Sequence, residues 1–190
     1  MLIVVRHGRT EANASGRLLG RTDPGLDDLG RRQAAALAPV LAGASRVVCS
    51  PLRRTRETAA AIGLPIDVDE RWIELDYGVL DGVPMADVPS DVWARWTADT
   101  GFAPEGGESI AALGARVRAA CDDLADEAAT RDIVVVTHVS PVKAAVAWTL
   151  GVGDEVAWHL FVAPASITRI STAGPRRSLH TFNQIGHLDA

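Results

Sequence analysis

The chain has 190 residues, 47% of them apolar, and a formal net charge of −5. That length predicts one domain over 1–190, with material for a substantial core, and the acidic balance leaves no footprint for nucleic acid. The apolar start Met1–Val5 lacks a basic flank or cleavage site and is too short for a signal peptide or a membrane span, so a cytoplasmic protein without membrane contact is expected.

The first element is the continuous apolar run Leu2–Val5, stopped by Arg6-His7-Gly8, which reads as a buried strand ending at a sheet edge. A helical pattern follows over Leu26–Leu41, with Pro39 expected to kink or shorten its last turn. Arg46–Cys49 repeats the strand design and leads directly into a helix over Leu52–Ile62. Pro65–Val68 is a weaker strand. The stretch 82–107, rich in Pro and holding Trp93, Trp96 and Phe102, reads as an excursion over one sheet edge with a short helix near Val92–Ala98.

Ser109–Ala128 is the clearest helix: Ile110, Leu113, Val117, Cys121, Leu124 and Ala128 recur at spacings of three and four. Asp132–Thr137 is a third apolar strand, delivering His138. The next helix, Pro141–Leu150, is predicted to open with Ser140 as N-cap and Pro141 at its first position. Ser166–Ile170 and Ser178–Phe182 are weaker strands. Strands alternating with helices imply a layered α/β fold around a largely parallel sheet.

Ligands in such folds collect beyond the carboxyl ends of the strands. There this chain offers Arg6 and His7 after the first strand, Arg53 and Arg54 after the second, His138 after the third, and Glu74 following Pro65–Val68. Two histidines, arginines and a carboxylate on one edge suit phosphoryl transfer. Guanidinium groups pair with phosphate oxygens, a neutral imidazole can attack phosphorus, and a carboxyl group can serve the leaving oxygen and then the attacking water. Each residue alone has a plainer reading: a polar strand end, a solvated helix face, a structural histidine. Of the 19 basic residues only Lys143 is lysine. No phosphate-binding glycine loop with lysine and no zinc or calcium spacing is present, so neither a metal nor a cofactor is expected. Cys49 and Cys121 read as core residues, and His159, His180 and His187 as structural or surface ones.

The order of motifs adds a resemblance. Arg6-His7-Gly8-Arg9-Thr10-Glu11-Ala12-Asn13 resembles the Arg-His-Gly-x-Thr-x-x-Asn opening of the histidine phosphatase (phosphoglycerate mutase-like) superfamily. Gly20–Leu26, Leu29–Ala34, Ser50–Ala59, Glu74–Gly78 with Asp81-Gly82, Gly106–Ser109 and Val135–His138 are similar to that family's later segments in the same order. The resemblance implies a three-layer α/β/α sandwich with a mostly parallel central sheet. It implies His7 as phosphoryl acceptor, Arg6, Arg54 and His138 as the phosphate clamp assisted by Asn13, and Glu74 as general acid and base. Thr10, Arg17, Val139 and Ser140 are further candidates for phosphate or substrate contact. Many relatives have a glycine pair after the second histidine. Val139-Ser140 in its place raises the expectation of a different backbone approach, since valine does not adopt the positive φ glycine permits.

The chain length resembles the shorter phosphatases, among them α-ribazole phosphatase-like and broad-specificity branches. The implied activity is metal-independent hydrolysis of phosphomonoesters of small metabolites by a monomer or homodimer. A cofactor-dependent phosphoglycerate mutase is the alternative. A catalytically silent phospho-ligand-binding member is set against the completeness of the set His7, Arg6, Arg54, Glu74 and His138.

Overall fold

A computed structural model describes residues 1–189. Its sheet has six strands: β1 (Leu2–Arg6), β2 (Arg46–Cys49), β3 (Ile66–Val68), β4 (Ile133–Thr137), β5 (Ile167–Ser171) and β6 (Ser178–Gln184). Their spatial order is β3-β2-β4-β1-β5-β6. β1 and β2 flank β4 and pair with it in parallel, β2 and β3 are parallel, and β5 runs antiparallel to both β1 and β6. The three strands with continuous apolar runs lie in the sheet interior, as residues buried on both faces require.

Side chains alternate along these strands and feed two cores. Leu2, Val4, Val48, Ile133 and Val135 face one layer, while Ile3, Val5, Val47, Val134 and Val136 face the other. The first layer is built from α5 (Ile110–Thr130) and α6 (Val139–Leu150), with Trp72 and Trp96 buried beside them. The second uses α2 (Asp28–Leu41) and α3 (Arg53–Ala60), through Leu37, Leu41 and Ala59. The result is the three-layer α/β/α sandwich. α1 (Glu11–Ala14) is a single turn after β1, and α4 (Ser90–Ala98) lies within the excursion. Among the described residues no helix is long and apolar enough to cross a membrane.

Two local expectations change. Pro39 does not interrupt α2, which continues to Leu41. It falls in the last turn, where its missing N–H forfeits only the bond to the carbonyl four residues earlier. α6 begins at Val139 with His138 at the N-cap, so Ser140 is not the cap and Pro141 occupies the third helical position. The reason is remote in sequence: the Glu74 carboxylate accepts the backbone N–H of Val139 (3.1 Å) and of Ser140 (3.2 Å). A side chain from outside the helix satisfies two of its orphan donors. The third position needs no donor, so Pro141 fits there.

Candidate active site

The site forms because β1 and β4 pair in register. Arg6 lies opposite Thr137, so the residues that follow, His7 and His138, emerge side by side. The His7 amide donates to the Thr137 carbonyl at 2.9 Å, and the two rings meet edge to face with centroids 5.1 Å apart. β2 turns through Ser50 into α3, whose second residue is Arg54. Glu74 follows the short 3-10 turn Glu70–Trp72 that succeeds β3. Arg6, His7, Arg54, Glu74 and His138 are all buried.

Each side chain has fixed partners. His7 Nδ1 lies 2.7 Å from the Gly8 carbonyl, which can only accept, so Nδ1 carries the proton and Nε2 keeps its lone pair. Arg54 is clamped: Nε donates to His138 Nδ1 (3.2 Å), Nη1 to the Thr22 carbonyl (2.9 Å) and Nη2 to the Gly20 carbonyl (2.8 Å). With Nδ1 accepting, His138 presents Nε2–H to Ser50 Oγ at 2.7 Å. Arg6 Nη1 donates to the Val162 carbonyl at 2.5 Å. Glu74 also accepts the Leu75 amide at 2.8 Å.

The electrostatics favour two neutral imidazoles. Burial, then the charges of Arg54 and Arg6, hold His7 well below its ordinary pKa, against the opposing bond to Gly8. His138 is lowered by burial, then by Arg54 and His7. Burial lowers the Arg6 guanidinium to about 10, with Glu74 acting against it. Tyr77 is pushed up by burial and by the Glu74 charge.

A cavity of about 440 Å³ opens over this floor. Arg6, His7 and Glu74 reach its surface, whereas Arg54 and His138 lie outside the lining. Asn13, Arg17, Val139 and Ser140 also line it, as expected. Asn13 Oδ1 is taken by the Thr10 N–H and hydroxyl, which leaves the amide nitrogen for the cavity. Arg17 is exposed at the rim and donates to the Gly82 carbonyl at 2.8 Å.

Thr10 is fully buried, caps α1 and, like Arg54 and His138, lies outside the cavity lining. Its hydroxyl serves the Asn13 amide instead. Val139 is the first residue of α6 and helical; among the described residues only Ala165 and Asn183 combine positive φ with a side chain. In the excursion, Trp93 and Trp96 stack at 5.5 Å and both line the cavity with Trp158. Phe102 sits under Arg95 instead.

Four residues act here that sequence reasoning did not assign. Ser50 fixes His138. Asp81 accepts the amides of Gly20, Arg21 and Thr22 and the Thr22 hydroxyl, at 2.8 to 3.0 Å, and so shapes the loop that receives Arg54. Arg116 donates to the carbonyls of Arg71, Ile73 and Glu74, pinning the Glu74 segment, while pairing with Glu108. Lys143, on α6, reaches the cavity wall. Ser50 and Asp81 stood inside matched motifs, which was their one signal.

Cationic donors thus gather around a neutral imidazole at the carboxyl edge of a doubly covered α/β sheet. The chain belongs to the histidine phosphatase superfamily (branch 1), whose family model matches residues 2–185. It is 35% identical to a bifunctional protein of Mycobacterium tuberculosis over 98% of this chain and 54% of that protein, so it spans about half that relative's length. Phosphoserine phosphatase 1 of Hydrogenobacter thermophilus is 32% identical over 98% of this chain and 93% of that protein. Among solved structures, mycobacterial glucosyl-3-phosphoglycerate phosphatase in complex with VO3 superposes with a TM-score of 0.86 at 31% identity, covering 96% of this chain and 98% of that one.

Proposed function

We propose that the chain is a phosphatase that hydrolyses phosphomonoesters of small metabolites through a phosphohistidine at His7 Nε2. One observation carries this: the Gly8 carbonyl holds the Nδ1 proton of a buried, neutral His7, leaving Nε2 as a nucleophile beside two guanidinium groups. The relatives' names, phosphoserine phosphatase and glucosyl-3-phosphoglycerate phosphatase, support a small phosphorylated metabolite as substrate.

In the first step Nε2 attacks phosphorus, the P–O ester bond breaks, and the leaving oxygen departs as an alcohol with the proton of the Glu74 carboxyl. In the second, the Glu74 carboxylate takes a proton from water as its oxygen attacks phosphorus. The P–N bond then breaks, releasing phosphate and restoring His7. Arg6 and Arg54 supply charge to the equatorial oxygens, where it concentrates in the transition state. His138, with Nδ1 accepting from Arg54 Nε and Nε2–H on Ser50, steadies the Arg54 guanidinium for the phosphoryl group. The positive charge comes from side chains, so this reading needs no metal ion.

Turnover of p-nitrophenyl phosphate in excess chelator, beside a His7→Ala variant, tests the proposal. Chelator-resistant wild-type activity, an acid-labile phosphoenzyme trapped on quenching, and an inactive variant are expected. Chelator-sensitive turnover or an active His7→Ala protein would refute it. Assaying 3-phosphoglycerate with bisphosphoglycerate primer should release phosphate without accumulating 2-phosphoglycerate.

A further inference from the structure

The cavity extends well beyond the phosphate floor, over walls formed by Leu18, Ile110, Leu113, Trp93 and Trp158. Charged groups are few on these walls, and most are committed. Arg9 is paired with Asp27 at 2.8 Å, and Asp154 receives two bonds from Arg118. Lys143 differs. Among the described residues it has neither a carboxylate within salt-bridge distance nor a hydrogen-bond acceptor, yet it is half-buried and lines the cavity.

That placement of the ammonium is electrostatically unfavourable on two counts. Arg6 repels it, and burial acts with Arg6 to lower its pKa, offset only by the Glu74 charge. A cation held there without a partner is arranged for a ligand that brings one.

We infer that Lys143 is a specificity-determining residue that receives a carboxylate carried by the leaving group, close to the ester oxygen. The inference rests on the phosphatase reading and refines it. Lys143 lies five residues beyond His138 along α6, a rise of about 7.5 Å, so its flexible stem reaches a group a few bonds from phosphorus. Glu74, which serves the ester oxygen, is held by the first turn of the same helix. Apolar walls around the ammonium strengthen its attraction for an anion relative to water.

A matched pair of ligands tests this: 3-phosphoglycerate and glycerol 3-phosphate, which differ in carrying a carboxylate or a hydroxymethyl group. Their dissociation constants are measured by calorimetry on His7→Ala protein, with and without Lys143→Met, so that the result does not require turnover. The preference for 3-phosphoglycerate should fall at least tenfold in the Lys143→Met protein, and Lys143→Arg should restore part of it. Steady-state kcat/KM for both compounds in the His7 background should show the same change in ratio. An unchanged ratio overturns the inference. So does an equal loss for both compounds, which would make Lys143 a phosphate ligand or a neighbour acting only through Glu74. Failure of the phosphatase reading looks different: the carboxylate preference and its dependence on Lys143 persist in binding while wild-type protein turns over no phosphomonoester.

Discussion

Asp81→Asn is the substitution that best tests how the phosphate clamp is held. Oδ1 of Asp81 accepts the Gly20 amide, and Oδ2 accepts the Arg21 and Thr22 amides and the Thr22 hydroxyl. The Gly20 and Thr22 carbonyls of that same loop anchor both terminal nitrogens of Arg54. Asparagine preserves the volume but, even with its NH2 on the single-donor side, loses the Gly20 bond and leaves the other three on a neutral oxygen, together equivalent to about two charge-assisted bonds. At a half-buried position each contributes toward the lower end of the roughly 1.5–3 kcal/mol range, giving about 3 kcal/mol in total. For a chain of this length that corresponds to a fall in Tm of roughly 6–12 °C. Loosening the Arg54 anchor should also lower kcat/KM by about 10- to 100-fold, because a small misplacement of a positioning group is costly in the transition state.

The pH dependence supplies a second signature. Burial alone would raise the Asp81 carboxyl, but the bonds from Gly20 and Thr22 outweigh it and hold the folded-state pKa below its ordinary value. The stabilisation is therefore complete above the unfolded carboxyl pKa of about 3.9 and disappears as pH falls through the lower folded value. Thermal melts of wild type and variant should differ at pH 7 and converge in acid. A Tm difference below about 1 °C with kcat/KM within twofold would refute the argument, since a loss of two such bonds predicts far more.

Other outcomes follow from the same geometry. Because burial and the neighbouring arginines lower both histidines, activity should persist as pH falls through about 6.5, the ordinary histidine value. Stability should weaken over the same interval, since the unfolded chain then binds protons that the folded one refuses; a pH titration of kcat and Tm checks both. Ser50→Ala removes the partner of His138 Nε2, leaving a buried donor unpaired, and should cost about 1–3 kcal/mol in denaturant melts with a larger loss in kcat than in KM. Gly8→Ala would press a methyl group against the Gly30 carbonyl at the β1–α2 crossing, where backbone rather than side chain must give way. Its yield of folded protein and its Tm should fall sharply, whereas Gly43→Ala, with open space around it, should change neither.

The legible part of the molecule was the part governed by local pattern. β1, β2 and β4 announce themselves as short apolar runs because both faces of those strands are buried, and α5 because one face packs. Four of the five principal candidates, Arg6, His7, Arg54 and His138, stand at a strand end or in the first turn of the next helix, whereas Glu74 sits in coil and was picked out by its motif alone. Contacts between distant segments were not. α6 starts two residues earlier than its own sequence suggests, because Glu74 caps it from 65 positions away. Thr10 caps α1, a role its place in the opening motif did not suggest. Arg116 and Lys143 lie outside every matched motif; only the folded chain brings them to the site.

The pairing of β1 with β4 has a consequence for when the protein becomes competent. His7 and His138 become neighbours only when two strands separated in sequence by β2, β3 and the helices between them lie side by side at the centre of the sheet. No hairpin, helix pair or contiguous fragment short of that span can assemble both imidazoles. Contacts of such sequence separation are among the slower to form, since loop closure precedes any gain from them. Recovery of activity during refolding should therefore trail the return of helical signal, making the two adjacent histidines a reporter of completed topology.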